Sequence, residues 1–246
     1  MSEPEKSQPK KERMKKFYKN VTLGSAEGEG GAALLLDDRP VKTPGRQPLA
    51  LPTEGLGEAV AEEWRGQKTE IVPETMPLTR LANTAIDGVR GNETAVAEDI
   101  LNFVGTDLLC YRADGPDGLV AMQAEMWDPT LRWAEAKFGA PFAVAEGVIH
   151  VAQPEAALVG VRAALSEMDA FRLTALHIMT TLTGSALLAL AVAEEALTPD
   201  EAWAAAHVDE DWQIYQWGED QEAMVRRAKR REDFNTAARM LALLRG

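Results

Sequence analysis

The chain has 246 residues, of which 26 are Lys or Arg and 39 are Asp or Glu, so its formal net charge is -13, and 46% of its residues are hydrophobic. That apolar share is enough for a packed core and excludes a wholly disordered chain. The acidic balance excludes a general nucleic-acid binder, because phosphate contacts need clustered Lys and Arg.

The first 16 residues form a polar tail with six basic and three acidic groups. It contains no apolar signal-peptide core, and Glu3, Glu5 and Glu12 are out of place in a transit peptide, so a cytoplasmic protein is expected. Strand signals then follow closely. Phe17 to Leu23 reads as a strand, Gly24 to Gly31 as a glycine-rich hairpin loop, and Ala32 to Leu36 as a second strand. Asp37-Asp38-Arg39-Pro40 reads as a turn, and Val41 to Pro44 opens a third short strand.

Helix takes over at Thr53, a plausible N-cap before Leu56, Val60 and Trp64. Pro73 and Pro77 mark an extended link. Leu78, Leu81, Ala82, Ala85, Ile86 and Val89 then make an apolar stripe, with Thr79, Asn83 and Asp87 one turn apart on the other side. Those three polar residues suit hydrogen bonds within the fold or to a partner. Residues 92–104 and 119–138 read as helices, and Leu108 to Arg112 and Val148 to Val151 as short strands. Further helices are expected at 155–168, 170–195, 199–217 and 220–244. The single cysteine, Cys110, lies in the apolar run 108–111 and reads as a buried small hydrophobe; with no second thiol, no intrachain disulfide forms and a reducing compartment fits. The fold class expected is α+β: a polar tail at 1–16, a small antiparallel β-rich part at 17–80 and a mostly helical part at 81–246.

Leu173 to Ala193 carries no charge and is long enough to span a bilayer. Its middle holds His177, several threonines and Gly184-Ser185, and it lacks aromatic belts. A buried central helix bent at Gly184-Ser185 is the better reading, with His177 as a satisfied core histidine and no stable membrane insertion.

The helix from residue 199 has the clearest signals. Thr198 caps it, Pro199 fits its first position, Glu201 completes a capping box and Gly218 fits its end. Trp203, His207, Glu210, Ile214 and Trp217 share one stripe, so Glu210 stands among tryptophans and must stay wet, find a partner or shift its pKa. Beyond it, residues 226–231 carry five cations, which read as the basic outer face of a helix or as a partner contact. No phosphate loop, GxSxG elbow or HExxH motif is present, and the three histidines lie far apart in sequence. No catalytic residue, cofactor, metal or small-molecule substrate is therefore assigned. A carboxylate-dependent hydrolase, with or without a metal, is the alternative that the many Asp and Glu pairs leave open.

Several segments together resemble a known family. They are Leu36 to Pro44, Glu63-Trp64 with Gln67, Met76 to Thr79 with Leu81 to Asp87, and Asp107 to Arg112. Trp127-Asp128-Pro129 and Asp209 to Gly218 complete the set, in order. The chain is similar to the assembly chaperones of the ATP synthase F1 sector specific for the α subunit, the assembly factor 2 family. That resemblance implies a non-enzyme that binds the free α subunit and prevents its aggregation until the β subunit displaces it. It implies a small α+β amino-terminal domain before a helical one, and it puts an acidic position at Asp209 or Glu210. The residues expected to meet the partner are Asp209, Glu210, Trp212, Gln213, Trp217, Gly218 and Glu219. The competing reading makes Trp203, Ile214 and Trp217 core and leaves the carboxylates to brace neighbouring helices.

Overall fold

The computed structural model describes residues 14–25, 31–147 and 149–245. The amino-terminal sheet is built on β2 (Ala32–Leu36), where Ala32, Leu34 and Leu36 alternate inward. It pairs antiparallel with β1 (Val21–Ser25), Val21 opposite Leu36 and Ser25 opposite Ala32. Asp37 and Asp38, with φ of 47° and 62°, make the tight turn into β3 (Arg39–Pro40). Short polar side chains tolerate that left-handed backbone, and the Asp37 carboxylate accepts from the N–H groups of Lys19 and Asn20. β4 (Ala50–Leu51) pairs with the other half of β2.

Two expected strands shift. The first begins at Val21 rather than Phe17, and the third gives way to β3, after which Lys42 faces Pro48 in an isolated bridge. The glycine-rich loop lies mostly outside the described residues, as does the tail up to residue 13.

α1 (Glu54–Arg65) starts where expected, with Thr53 Oγ1 accepting from the Leu56 N–H at 3.1 Å. It lies so close on β2 that a Cβ on Gly57 would sit 2.7 Å from that of Ala32. The Glu63 carboxylate, near its end, accepts from the N–H groups of Leu78 and Thr79 and from the Thr79 hydroxyl, at 2.7, 2.8 and 2.7 Å. An anion thus caps α2 (Pro77–Thr84), whose first residue is a proline. The helix runs on as a π-helical turn, Ala85–Val89. There Asp87 accepts from the Thr43 hydroxyl at 2.6 Å and the Gly45 N–H at 2.8 Å, which ties the 41–49 loop to the helix. Of the three polar positions on this face, Thr79 and Asp87 therefore serve the fold.

α3 (Glu93–Gly105) leads to buried Asp107, whose Oδ1 accepts from the Leu109 N–H. That bond folds 108–110 into a 3₁₀ turn where a strand was expected, leaving β5 (Tyr111–Arg112) as the only extended part. Its partner is β6 (Ala145–Glu146), parallel to it; the expected strand at 148–151 is not formed by residues 149–151, and Val148 lies outside the described residues. Between them runs α4 (Asp117–Phe138).

α5 (Glu155–Ser166) is followed by α6 (Ala170–Thr183) and α7 (Ala186–Ala193), so the long uncharged run is two helices rather than one bent helix. Gly184 takes φ 70° and ends α6, and Ser185 opens α7 by accepting from the Leu188 N–H. His177 is not a core residue: it stands half-exposed on α6 with Nε2 2.7 Å from the Asp99 carboxylate. Among the described residues no helix is long and apolar enough to cross a membrane. α8 (Pro199–Ala206), α9 (Val208–Trp217) and α10 (Gln221–Leu243) complete the chain. One apolar cluster runs from Tyr18 to Leu244 and holds Trp127, Trp203 and Phe234. The architecture is α+β, an antiparallel β-rich front and a mostly helical remainder.

Candidate partner-binding site

The capping box at Thr198 and Glu201 is in place, but the helix expected over 199–217 breaks at His207. His207 takes φ -118° and ψ 18° and is buried against Trp203, with ring centroids 3.9 Å apart. Its Nδ1 lies 2.8 Å from the Trp203 carbonyl oxygen, which can only accept, so Nδ1 carries the proton. Burial lowers the His207 pKa below its ordinary value. The break interrupts the helical period between α8 and α9. Trp203 and Trp217, placed on one stripe by an unbroken period, therefore part company: Trp203 is core and Trp217 is solvent-exposed.

The acidic residues at the start of α9 are tied to the fold. Asp209 Oδ1 accepts from the Gln123 amide of α4 at 2.7 Å, and Gln123 Oε1 accepts in turn from the Ala113 N–H at 2.8 Å. Asp211 pairs with Arg227 of α10 at 2.5 Å. Glu210 is half-exposed, 3.8 Å from Arg227 Nε and 4.0 Å from His207 Nε2. A carboxylate expected among tryptophans is thus a wet one beside a guanidinium. Trp212 is half-buried, with its ring edge over Gly118 of α4, where a Cβ would come within 2.6 Å of it.

The far end of α9 has the opposite character. Trp217 is 80% exposed and Tyr215 81%, and Val225 on the first turns of α10 is 67% exposed. Of the six tryptophans, all among the described residues, Trp217 alone is exposed. Gln213, Gly218 and Glu219 are exposed with it, and Gly218 at φ 87° ends the helix. Asp220 then caps α10 by accepting from the N–H groups of Glu222 and Ala223. The expected site residues accordingly separate into a braced base (Asp209, Glu210, Trp212) and an open corner (Gln213, Trp217, Gly218, Glu219). Tyr215 and Val225 are exposed as well and were not in the expected set; Tyr215 lies on another side of α9 from Trp217, three residues after Trp212 and on its face, with rings 6.1 Å apart. Of the cations at 226–231, Arg227, Arg230 and Arg231 reach back to α9, α6 and α8, which makes them fasteners.

Exposed aromatic side chains among polar neighbours exclude water well when a partner covers them. Among the described residues no three His, Cys, Asp or Glu side chains gather as a metal site. Cys110 is fully buried, and its thiol is pushed up to about 12 by burial, which removes it as a nucleophile.

A family model described as ATP12 chaperone protein matches residues 15–135. Atp12 from Paracoccus denitrificans is 44% identical, with a TM-score of 0.90 over 94% of this chain and 98% of that one. An aspartate-to-lysine mutant of the Paracoccus protein superposes equally well, at 43% identity and a TM-score of 0.90. The Atu1473 protein of Agrobacterium tumefaciens is 48% identical, with a TM-score of 0.89 over 94% of this chain and 86% of that one.

Proposed function

The chain belongs to the ATP12 chaperone family, and from that premise we propose that it binds the free α subunit of the ATP synthase F1 sector in the cytoplasm and keeps it from aggregating until the β subunit displaces it. The observation that carries this reading is the exposure of Tyr215, Trp217 and Val225 around the end of α9 and the start of α10, while the base of α9 is held by the Arg227 ion pairs and by Trp212 on Gly118. Large aromatics left in water on a well-packed protein favour a protein partner. Gln213 and Glu219 supply the polar rim, and Glu210, beside but not consumed by Arg227, adds charge for a basic group on the client. Asp209 acts through Gln123 by holding α9 on α4.

Such a chaperone must release its client, so a compact hot spot suits it better than a large dry interface. Trp217→Ala is expected to leave stability within about 0.5 kcal/mol and to weaken client binding by about 2 kcal/mol, roughly 30-fold. The check is light scattering of refolding α subunit with and without each variant, alongside thermal melts. Glu210→Gln should weaken suppression less than Trp217→Ala. If Trp217→Ala and Glu210→Gln both fold and suppress aggregation as the wild type does, this corner is not the client surface. Failure of the wild type to suppress aggregation, or to be displaced by β, would overturn the α-subunit reading itself.

A further inference from the structure

A second surface lies in the amino-terminal part of the chain. An open cleft of about 1900 Å³ runs between the amino-terminal sheet and the start of α2. That exceeds the roughly 300–1,000 Å³ of small-molecule pockets and suits a stretch of polypeptide. Its apolar lining includes Phe17, Tyr18, Trp64, Ile71 and Met76, and Phe17 is 66% exposed. The indole N–H of Trp64 is buried there with no acceptor among the described residues.

Two extended segments border the cleft, each paired on one side. Lys15 is bridged to Glu70 by the Lys16 N–H to Thr69 carbonyl and Ile71 N–H to Met14 carbonyl bonds. Lys42 is bridged to Pro48 by the Thr43 N–H to Gln47 carbonyl and Leu49 N–H to Val41 carbonyl bonds. In this antiparallel pattern the bonded groups belong to the flanking residues, so the N–H and C=O of Lys15 and Lys42 themselves point away from their partners. Each is a short open edge able to take another strand.

The rim charge selects the occupant. Lys15, Arg39, Lys42 and Arg80 line the cleft, and none of them is ion-paired among the described residues, whereas Arg65, Arg112 and Arg227 elsewhere all are. The anions on the rim are Asp37, Glu70 and Glu74, and Asp37 is spent on the N–H groups of Lys19 and Asn20. On a chain of net charge -13 this is a local reserve of uncommitted cations.

We propose that the cleft binds an extended segment of a protein client in which carboxylates alternate with apolar side chains, by strand addition at Lys15 or Lys42 with the carboxylates on the rim cations. The word client rests on the chaperone reading; the peptide chemistry does not.

The test uses the full chain and two labelled nine-residue peptides. One alternates glutamate with leucine and phenylalanine; the other has lysine at every glutamate. Fluorescence anisotropy should show the glutamate peptide binding at least tenfold tighter, with affinity falling as salt rises. Lys42→Glu with Arg80→Glu should weaken it at least tenfold at unchanged melting temperature, Phe17→Ala should weaken it severalfold, and N-methylation of alternate amides should abolish binding. Equal affinity for both peptides, or indifference to the double charge reversal, overturns the proposal. Tighter binding of a peptide of residues 1–13 also overturns it, since the occupant would then be this chain's own tail. A wild-type chain that protects the α subunit but does not bind the glutamate peptide sinks only the cleft; one that binds the peptide but gives no protection sinks only the client reading.

Discussion

Asp107 is a carboxylate surrounded by donors. Its oxygens accept from the Leu109 N–H at 3.1 Å, the Ser185 hydroxyl at 2.7 Å and the Leu187 N–H at 3.0 Å, and the side chain is fully buried. It therefore stitches the 108–110 turn to the first turn of α7. Asp107→Ala strands those donors, each worth about 1–3 kcal/mol when left unsatisfied, and should cost at least about 3 kcal/mol in urea unfolding. Burial pushes its carboxyl from 3.8 up to about 6 against the pull of those hydrogen bonds. The folded protein thus keeps a proton between about pH 4 and 6 that the unfolded chain releases, so this group's contribution to stability falls as pH rises through that window. Asp107→Asn lacks the titration. The stability gap between wild type and Asp107→Asn should be widest near pH 4 and narrow by as much as about 3 kcal/mol by pH 7. Nothing in the run around residue 107 announced this role; a lone acid before three apolar residues acquires its meaning only when Ser185, 78 residues later, arrives beside it.

At the scale of elements, starts and stops were the most legible. Thr53, Thr198 with Glu201, Gly184 and Gly218 act as the local chemistry of caps requires, since a cap needs only its own turn. The break at His207 was not legible, because the apolar period passes through it undisturbed; a buried imidazole bonded back to Trp203 is a tertiary outcome. That break also decided which tryptophan is core and which is exposed, and so hid the nature of the candidate site. His207 faces Glu210 on α9 and Arg227 and Arg230 from α10, and burial holds it below its ordinary 6.5. Below pH 6.5 the unfolded chain gains a proton that the folded one resists, so stability is lost as pH falls. His207→Phe keeps a ring on Trp203 and should melt with a shallower decline between pH 7 and 5 than the wild type. Helix contacts are equally specific. A Cβ on Gly160 of α5 would lie 2.3 Å from the Phe138 carbonyl oxygen at the end of α4, backbone against side chain. Gly160→Ala should lower stability by about 1–3 kcal/mol or more in a thermal melt.

Over the whole molecule, the order of a β-rich front and a helical back was readable from where period-two patterning gave way to helical spacing. The parallel β5–β6 pair was not, because two residues per strand carry no period. The division at residue 80 is a proposal with a direct check. If 17–80 and 81–246 are separate domains, circular dichroism and tryptophan emission should report two unfolding transitions. The apolar cluster continuous from Tyr18 to Leu244 leads us to expect one. One link across that cluster has a consequence in time. The hydroxyl of Thr53, cap of the first helix, donates to the carbonyl of Leu243 at 2.7 Å. A ribosome makes the first helix long before the last one, whose end Thr53 binds, so the face of the early chain that docks α10 stays bare until synthesis is nearly over. A protein that shelters another chain during assembly has, while it is being made, the same exposure problem as its client.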